Sequence, residues 1–394
     1  MSSPVIDHTH EPTPTSYGRL TWFEKIGLVL SLATSVPIAL VAMLFRRLVF
    51  KNEIPIKDDL IRSIVRRLFG IPVSILRKIM APDTVEETLN STRVRLYKHR
   101  MCEEVQNTGF CGWWVHKGWG DAPLPPNQCD LVILFIHGGA YTLGHPLSNL
   151  EQRFRIAELL AAQNISSSLF ALKYSLTPEA KFPTQFQESE AAFMYLVNDM
   201  AIDPSKIVVM GESAGGHLSL SLLYTLAHRG LPRPGAAFLL APWIDLTNSD
   251  PTVTTNKNRD ILARKPLEKA VGQLFGSPEG REKHSHLLNF ASPERPGLPL
   301  QNFLPSFTWV TAGSDEIFLG SIKAFVANAL AAGLEMELQV GEGKDHGWQT
   351  SSDLLGKKKY IQLEPTSPVG DLMLGAENIA AGLMEIIKRR KVNL

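Results

Sequence analysis

The hydrophobic pattern opens with an apolar run, Ile26 to Phe45, that holds 20 residues and no charge. That is about the length that crosses a hydrocarbon core as a helix. Trp22 stands before it and Arg46, Arg47 and Lys51 after it, where interfacial anchors sit. Pro37 is tolerated inside a membrane helix. The pattern predicts a transmembrane anchor over 26–46, preceded by a polar, disordered segment over 1–25. A cleaved signal peptide would have a shorter apolar core and small residues where Arg46 and Arg47 stand. A buried core helix is the remaining alternative.

Beyond the anchor, apolar residues return at helical spacing. Leu60, Ile61, Ile64 and Leu68, then Ile75, Leu76 and Ile79, alternate with Arg62, Arg66, Arg67, Arg77 and Lys78. This predicts amphipathic helices over 58–90. Their basic face reads as solvated or resting on headgroups, and the segment as part of a cap over a site.

From residue 91 the period changes. Thr92–Tyr97 and Gly112–His116 read as strands. Leu131–Ile136 is apolar at every position, as in a strand buried on both faces. Strands follow at Ser167–Tyr174, Ile207–Met210, Ala236–Leu240, Phe307–Thr311 and Glu335–Val340, with helical patterns between them and a closing helix over Ala376–Lys388. Strand and helix alternate, so 91–394 is an α/β domain with a mostly parallel sheet. Residues 247–303, rich in Pro, Asn and charge, interrupt the alternation and read as an insertion over the site.

Composition removes other classes. Lys and Arg total 40 against 39 Asp and Glu, so no basic excess exists to bind nucleic acid. Cys102, Cys111 and Cys129 lack the spacing of a zinc site or a disulfide scaffold, though one bridge among them stays open.

The chemistry centres on Gly211-Glu-Ser-Ala-Gly215, placed between the strand ending at Met210 and a Leu-rich helix. Strand, sharp turn and helix make Ser213 an exposed nucleophile beside a helix N-terminus. A serine needs a base, and the base needs a third group to hold its tautomer. In such elbows the partners follow in the order serine, acid, histidine. After residue 300 the sequence holds one histidine, His346, directly after the last strand; Asp315 follows the strand before. The predicted triad is Ser213, Asp315 and His346. Glu316 and Asp245 are alternative acids, the first less well placed at the strand end, the second better suited to tying down the insertion. Asp345 is too near His346 along the chain to reach the ring. An oxyanion needs preorganised N–H donors; Gly138, Gly139 and Ala140, after the central strand, and Ala214, after the nucleophile, are the candidates. His137 reads as a loop-fixing residue and His217 as packing.

His137-Gly-Gly-Ala140, Gly211-Glu-Ser-Ala-Gly215, Asp315 and His346 together resemble the hormone-sensitive-lipase branch of the α/β-hydrolases. Tyr174-Ser-Leu-Thr-Pro-Glu-Ala-Lys-Phe-Pro183 is similar to that branch's Tyr-Arg-Leu-Ala-Pro-Glu-x-x-Phe-Pro stretch. The likeness runs over about residues 90 to 390. Ala140 departs from the third glycine of many members, and Glu212 from their aspartate. The resemblance implies an α/β-hydrolase fold and a serine carboxylesterase with no cofactor or metal. It implies a small lipophilic ester, such as an acetylated sterol, as substrate. Arylacetamide deacetylase and steryl acetyl hydrolase in this branch are similar in having an N-terminal anchor and face the endoplasmic reticulum lumen, which implies that location here. The sequons at Asn90 and Asn164 suit a lumenal domain, whereas the basic residues after the anchor argue for a cytosolic one. Two other readings are a tailoring acyl transfer in fungal-type secondary metabolism and a non-catalytic binder. The intact triad pattern argues against the binder.

Overall fold

The computed structural model describes residues 18–49, 54–81 and 84–392. The expected disorder over 1–25 therefore falls mostly outside the described residues, as does the expected anchor residue Lys51. Eight strands form one sheet in the order β1-β2-β4-β3-β5-β6-β7-β8. They are β1 (Met101–Asn107), β2 (Phe110–Lys117), β3 (Leu131–Ile136), β4 (Ser167–Lys173), β5 (Ile207–Glu212), β6 (Ala236–Leu240), β7 (Phe307–Gly313) and β8 (Glu335–Gly341). β1 and β2 pair antiparallel, as do β2 and β4, and every other neighbouring pair is parallel.

The uniformly apolar β3 is explained by what covers its faces. Val132, Leu134 and Ile136 pack with helices Thr184–Asn198, Ala214–His228 and Leu319–Ala331. Leu131, Ile133 and Phe135 pack against Leu150–Ala162 and Leu374–Val392 on the opposite face. Period-two side chains on a doubly covered strand must be apolar throughout. The chain reverses direction across the sheet at β3, which lies between β4 and β5. A switch point of this kind opens a crevice at the carboxyl ends of the strands.

Thr92–Tyr97 does not form the expected strand. It is a series of turns, and the first strand begins at Met101. Side chains hold this segment in place of a ladder. Val94 is fully buried, and the Arg93 guanidinium pairs with Glu158 at 2.8 Å and donates to the carbonyl of Glu364 at 2.7 Å. An alternating pattern that serves such tethering cannot be told from a strand pattern.

Among the described residues four α-helices precede the sheet: α1 (Trp22–Val49), α2 (Ile56–Leu68), α3 (Val73–Ile79) and α4 (Val85–Leu89). α1 is long and apolar enough to cross a membrane, and most of its residues are exposed; Ala39 and Met43 are buried. It lies against α2 and α3. Arg46 and Arg47 pair with the buried Asp59 of α2, Glu24 pairs with Lys78 of α3 at 2.7 Å, and Leu28 packs on Ile71, Leu76 and Leu143.

α2 turns the opposite way from the amphipathic expectation. Asp59, Arg62 and Ser63 are its buried residues, while Ile61 is 47% exposed. The basic face expected to be solvated is driven into the domain by acidic and carbonyl partners described below.

Candidate active site

Ser213 sits between β5 and the helix Ala214–His228 with φ 54° and ψ −117°, a strained conformation for a residue with a Cβ. Close packing enforces the elbow. A Cβ on Gly215 would lie 2.1 Å from the Ile136 carbonyl oxygen, and one on Gly211 would lie 2.3 Å from that of Gly215. Only glycine lets the strand, turn and helix meet this closely. The Ser213 N–H donates to Leu240 at 2.9 Å, and its carbonyl accepts from Trp243 at 3.0 Å. The nucleophile's backbone is therefore clamped between β5 and the end of β6.

Ile136 pairs with Gly211 across the sheet, which brings His137-Gly-Gly-Ala140 beside the elbow. A Cβ on Gly138 would meet the Ser213 Cβ at 3.2 Å. The turn is bent sharply, with φ 115° at Gly139, 51° at Ala140 and 60° at Tyr141. Among the described residues, no protein acceptor takes the amide N–H of Gly139, Ala140 or Ala214. His137 stacks on Tyr174 at 4.3 Å, and its Nδ1 lies 2.8 Å from the Gly138 carbonyl oxygen. Burial pushes its pKa down to about 4, so it is neutral at physiological pH. His217 does more than pack. Its Nδ1 accepts from the Tyr141 hydroxyl at 2.7 Å, and its Nε2 donates to the Leu287 carbonyl at 2.8 Å, joining the turn to the insertion. Arg77 of α3 braces the turn from the other side, donating to the carbonyls of Thr142 at 2.8 Å and Thr177 at 2.6 Å.

His346 follows β8 and is 7% exposed. The next residue, Gly347, faces the carboxylate of Glu212, which precedes the nucleophile; a Cβ there would lie 3.1 Å from Glu212 Oε1. Burial lowers the pKa of His346, but Glu316, Asp260 and Glu212 outweigh it and hold the value above the ordinary imidazole range. Burial also raises the carboxyl of Glu316.

The side chain of the expected acid is engaged elsewhere. Asp315 does not face the imidazole. Its Oδ2 lies 2.7 Å from Arg62 Nη1 and its Oδ1 2.7 Å from Arg259 Nε. Among the described residues, Glu316 carries the carboxylate oxygen within 4 Å of a His346 ring nitrogen, Oε2 to Nδ1 at 3.8 Å. The turn after β7 explains the two orientations. The Asp315 N–H is bound to the Lys344 carbonyl at 2.8 Å, and its short side chain projects toward α2. Glu316 folds back across the turn, accepting from the Gly313 N–H at 3.1 Å, and its extra methylene brings it to the ring.

Two residues given no role at the site by the sequence organise this corner. Asp260, in the insertion, accepts from the N–H groups of His346 at 3.0 Å and Ile317 at 2.8 Å, so it fixes both loops. Arg62 reaches Asp315, Asp345 (3.3 Å) and the carbonyl of Gly343 (2.6 Å). Basic residues on an amphipathic helix carry no sign that they will be buried; only the facing carboxylates reveal it. Asp245 behaves as expected for a residue that ties down the insertion, accepting from the N–H groups of Thr247 and Ser249 at 2.8 and 2.9 Å.

Ser213, His346, Gly138, Gly139 and Ala140 line one cavity of about 900 Å³, together with apolar residues of α2 and α3 and of helix Arg264–Phe275. The volume lies at the upper end for small-molecule sites. Cys102, Cys111 and Cys129 are unpaired, and burial raises the thiol of Cys111 to about 11. Asn90 and Asn164 are both exposed.

The profile of the α/β-hydrolase fold family matches residues 133–350. An acetyl-hydrolase of Streptomyces hygroscopicus is 28% identical over 246 residues, 62% of this chain and 75% of that protein. The esterase LipU of Mycobacterium tuberculosis is 25% identical over 235 residues, 59% of this chain and 75% of that protein. The crystal structure of an esterase from the bacterial hormone-sensitive lipase family aligns with TM-score 0.57 and 22% identity, covering 90% of this chain and 98% of that one. The chain belongs to the α/β-hydrolase fold family, and its similarity to these proteins marks it as an ester hydrolase.

Proposed function

We propose that the protein is a membrane-anchored serine carboxylesterase acting on small lipophilic esters, acetates among them, through Ser213, His346 and Glu316. The observation that carries the reading is the strained elbow at Ser213 opening into the same apolar cavity as His346, which Glu316 backs. His346 takes the Ser213 proton as the hydroxyl attacks the ester carbonyl. Glu316 holds the imidazole through Nδ1 and stabilises its cation; the present 3.8 Å separation shortens as charge develops. The amides of Gly139, Ala140 and Ala214 receive the oxyanion, with Gly138 giving the turn its close approach to Ser213. The imidazolium then protonates the leaving alcohol, and water hydrolyses the acyl-enzyme by the same path reversed. Asp315 serves as a structural counter-ion.

The membrane component of the proposal is supported by α1, whose apolar surface is mostly exposed among the described residues. An anchor in the endoplasmic reticulum with a lumenal domain would place exposed Asn90 and Asn164 in reach of glycosylation, and a glycosidase-sensitive mass shift tests that sidedness. An acetylated sterol is among the lipophilic esters the cavity volume admits. The function is tested by hydrolysis of a panel of acetyl and longer acyl esters in reconstituted vesicles, with organophosphonate labelling of the native chain and of Ser213→Ala. Labelling and turnover that survive in Ser213→Ala would overturn the reading.

A further inference from the structure

The cavity mouth is an unusual surface. Ile61 of α2 and Met80, just after α3, are 47% and 43% exposed, and Leu354 and Leu355, shortly after His346, are 49% and 83% exposed. All four line the cavity, so the exposed apolar side chains form its rim. Four lysines line it too, Lys57, Lys265, Lys269 and Lys344, and all are exposed; Asp58 is the exposed acidic residue among the lining groups. Exposed apolar side chains together with long amphipathic cations suit a lipid interface, where the aliphatic residues meet acyl chains and the lysines reach the phosphates. A soluble surface gains nothing from keeping Leu355 in water.

The position of α1 identifies the occupant. α2 and α3 form one wall of the cavity, and they are the elements α1 lies against, through Asp59, Lys78 and the cluster around Leu76. The helix long enough to span a bilayer therefore abuts the rim itself. Ion pairs near both of its ends hold α1 along α2 and α3, so a lipid phase that receives α1 lies next to Ile61 and Met80.

We propose that the mouth of the cavity rests on the bilayer and admits the ester directly from the lipid phase. Ile61, Met80, Leu354 and Leu355 sit at acyl depth, and Lys57, Lys265, Lys269 and Lys344 contact headgroup phosphates. The proposal rests on the membrane-anchored esterase reading and adds the route by which substrate arrives. A substrate held in the membrane never crosses water, and the local concentration at the mouth is that of the lipid phase.

The test uses the full chain reconstituted in phosphatidylcholine vesicles. An environment-sensitive fluorophore is placed at Leu355→Cys, and at Pro232→Cys as a control. Pro232 precedes β6 and so lies at the amino ends of the strands, opposite the site. Position 355 is expected to show blue-shifted emission quenched by headgroup-labelled and shallow acyl-labelled lipid, and position 232 neither. Equal emission and equal quenching at the two positions would overturn the proposal. So would shielding of position 355 that rises with protein concentration in lipid-free detergent, which would assign the rim to a second copy. A kinetic arm does not depend on the dye. Leu354→Glu with Leu355→Glu is expected to lower turnover of a vesicle-dissolved long-chain ester relative to a water-soluble acetate by about ten-fold, since two charges must now meet the interface. An unchanged ratio would count against the port. Phosphonate labelling of Ser213 in the same samples reports the catalytic groups alone, so loss of the port and loss of the esterase reading give different results.

Discussion

Arg62→Ala is the substitution whose cost follows most directly from the geometry. The guanidinium is 6% exposed and its partner Asp315 2% exposed. Removing one partner of a buried pair leaves an uncompensated charge and costs about 3–5 kcal/mol. Here Asp315 keeps Arg259, which is 40% exposed and so screened by water. Asp345 loses its partner as well, and the carbonyls of Gly343 and Arg259 lose a donor. The retained Arg259 places the loss near the lower end, about 3 kcal/mol. For a domain this large that is a fall in Tm of about 4 °C. The assay is thermal unfolding in detergent, native chain against Arg62→Ala, Asp315→Asn and the double variant. The double variant removes both charges together, so it is expected to recover about 1 kcal/mol relative to the sum of the singles. A Tm for Arg62→Ala within about 1 °C of native, or strict additivity in the double variant, would refute the buried clamp.

Two further outcomes follow from the site. Gly215→Ala places a methyl 2.1 Å from the Ile136 carbonyl oxygen, so the elbow must open; the variant is expected to lose phosphonate labelling of Ser213 while the sheet remains folded by circular dichroism. The pH dependence has a definite sign. His346 must be neutral to act as base, and its neighbouring carboxylates favour the imidazolium. The acid limb of kcat/KM is therefore expected above the ordinary imidazole value of about 6.5. Glu316→Gln removes one such carboxylate and moves the limb to lower pH, read from the rate of phosphonate inactivation.

Where a segment's environment is the same along its whole length, its pattern was legible. β3, buried on both faces, and the glycines around Ser213, excluded from any other residue by carbonyl oxygens 2.1–2.3 Å from a Cβ, carry their roles in residue type alone. Which of Asp315 and Glu316 turns toward His346 was not legible. Adjacent carboxylates after one strand end differ only in which way a turn points them, and that depends on Arg62 and Arg259, remote in the chain by 253 and 56 residues. The inverted burial of α2 has the same origin. Hydrophobic spacing assumes that a helix buries its apolar face, whereas α2 buries Arg62 against carboxylates and turns Ile61 outward to line the cavity mouth. The turns at 92–97 were misjudged because tethering through Arg93 leaves no mark on local periodicity.

In the proposed mechanism Ser213, His346 and Glu316 act as one unit while Asp315 stands aside as a counter-ion. The direct measurement is kcat on a short acetyl ester for Glu316→Gln against Asp315→Asn, each confirmed folded. Loss of the residue that holds the catalytic imidazole is expected to lower kcat by about 10⁴-fold, as in other triads. Asp315→Asn is expected to retain kcat within about ten-fold, losing mainly stability. The reverse ranking, with Asp315→Asn the inactive variant and Glu316→Gln near native, would contradict the account.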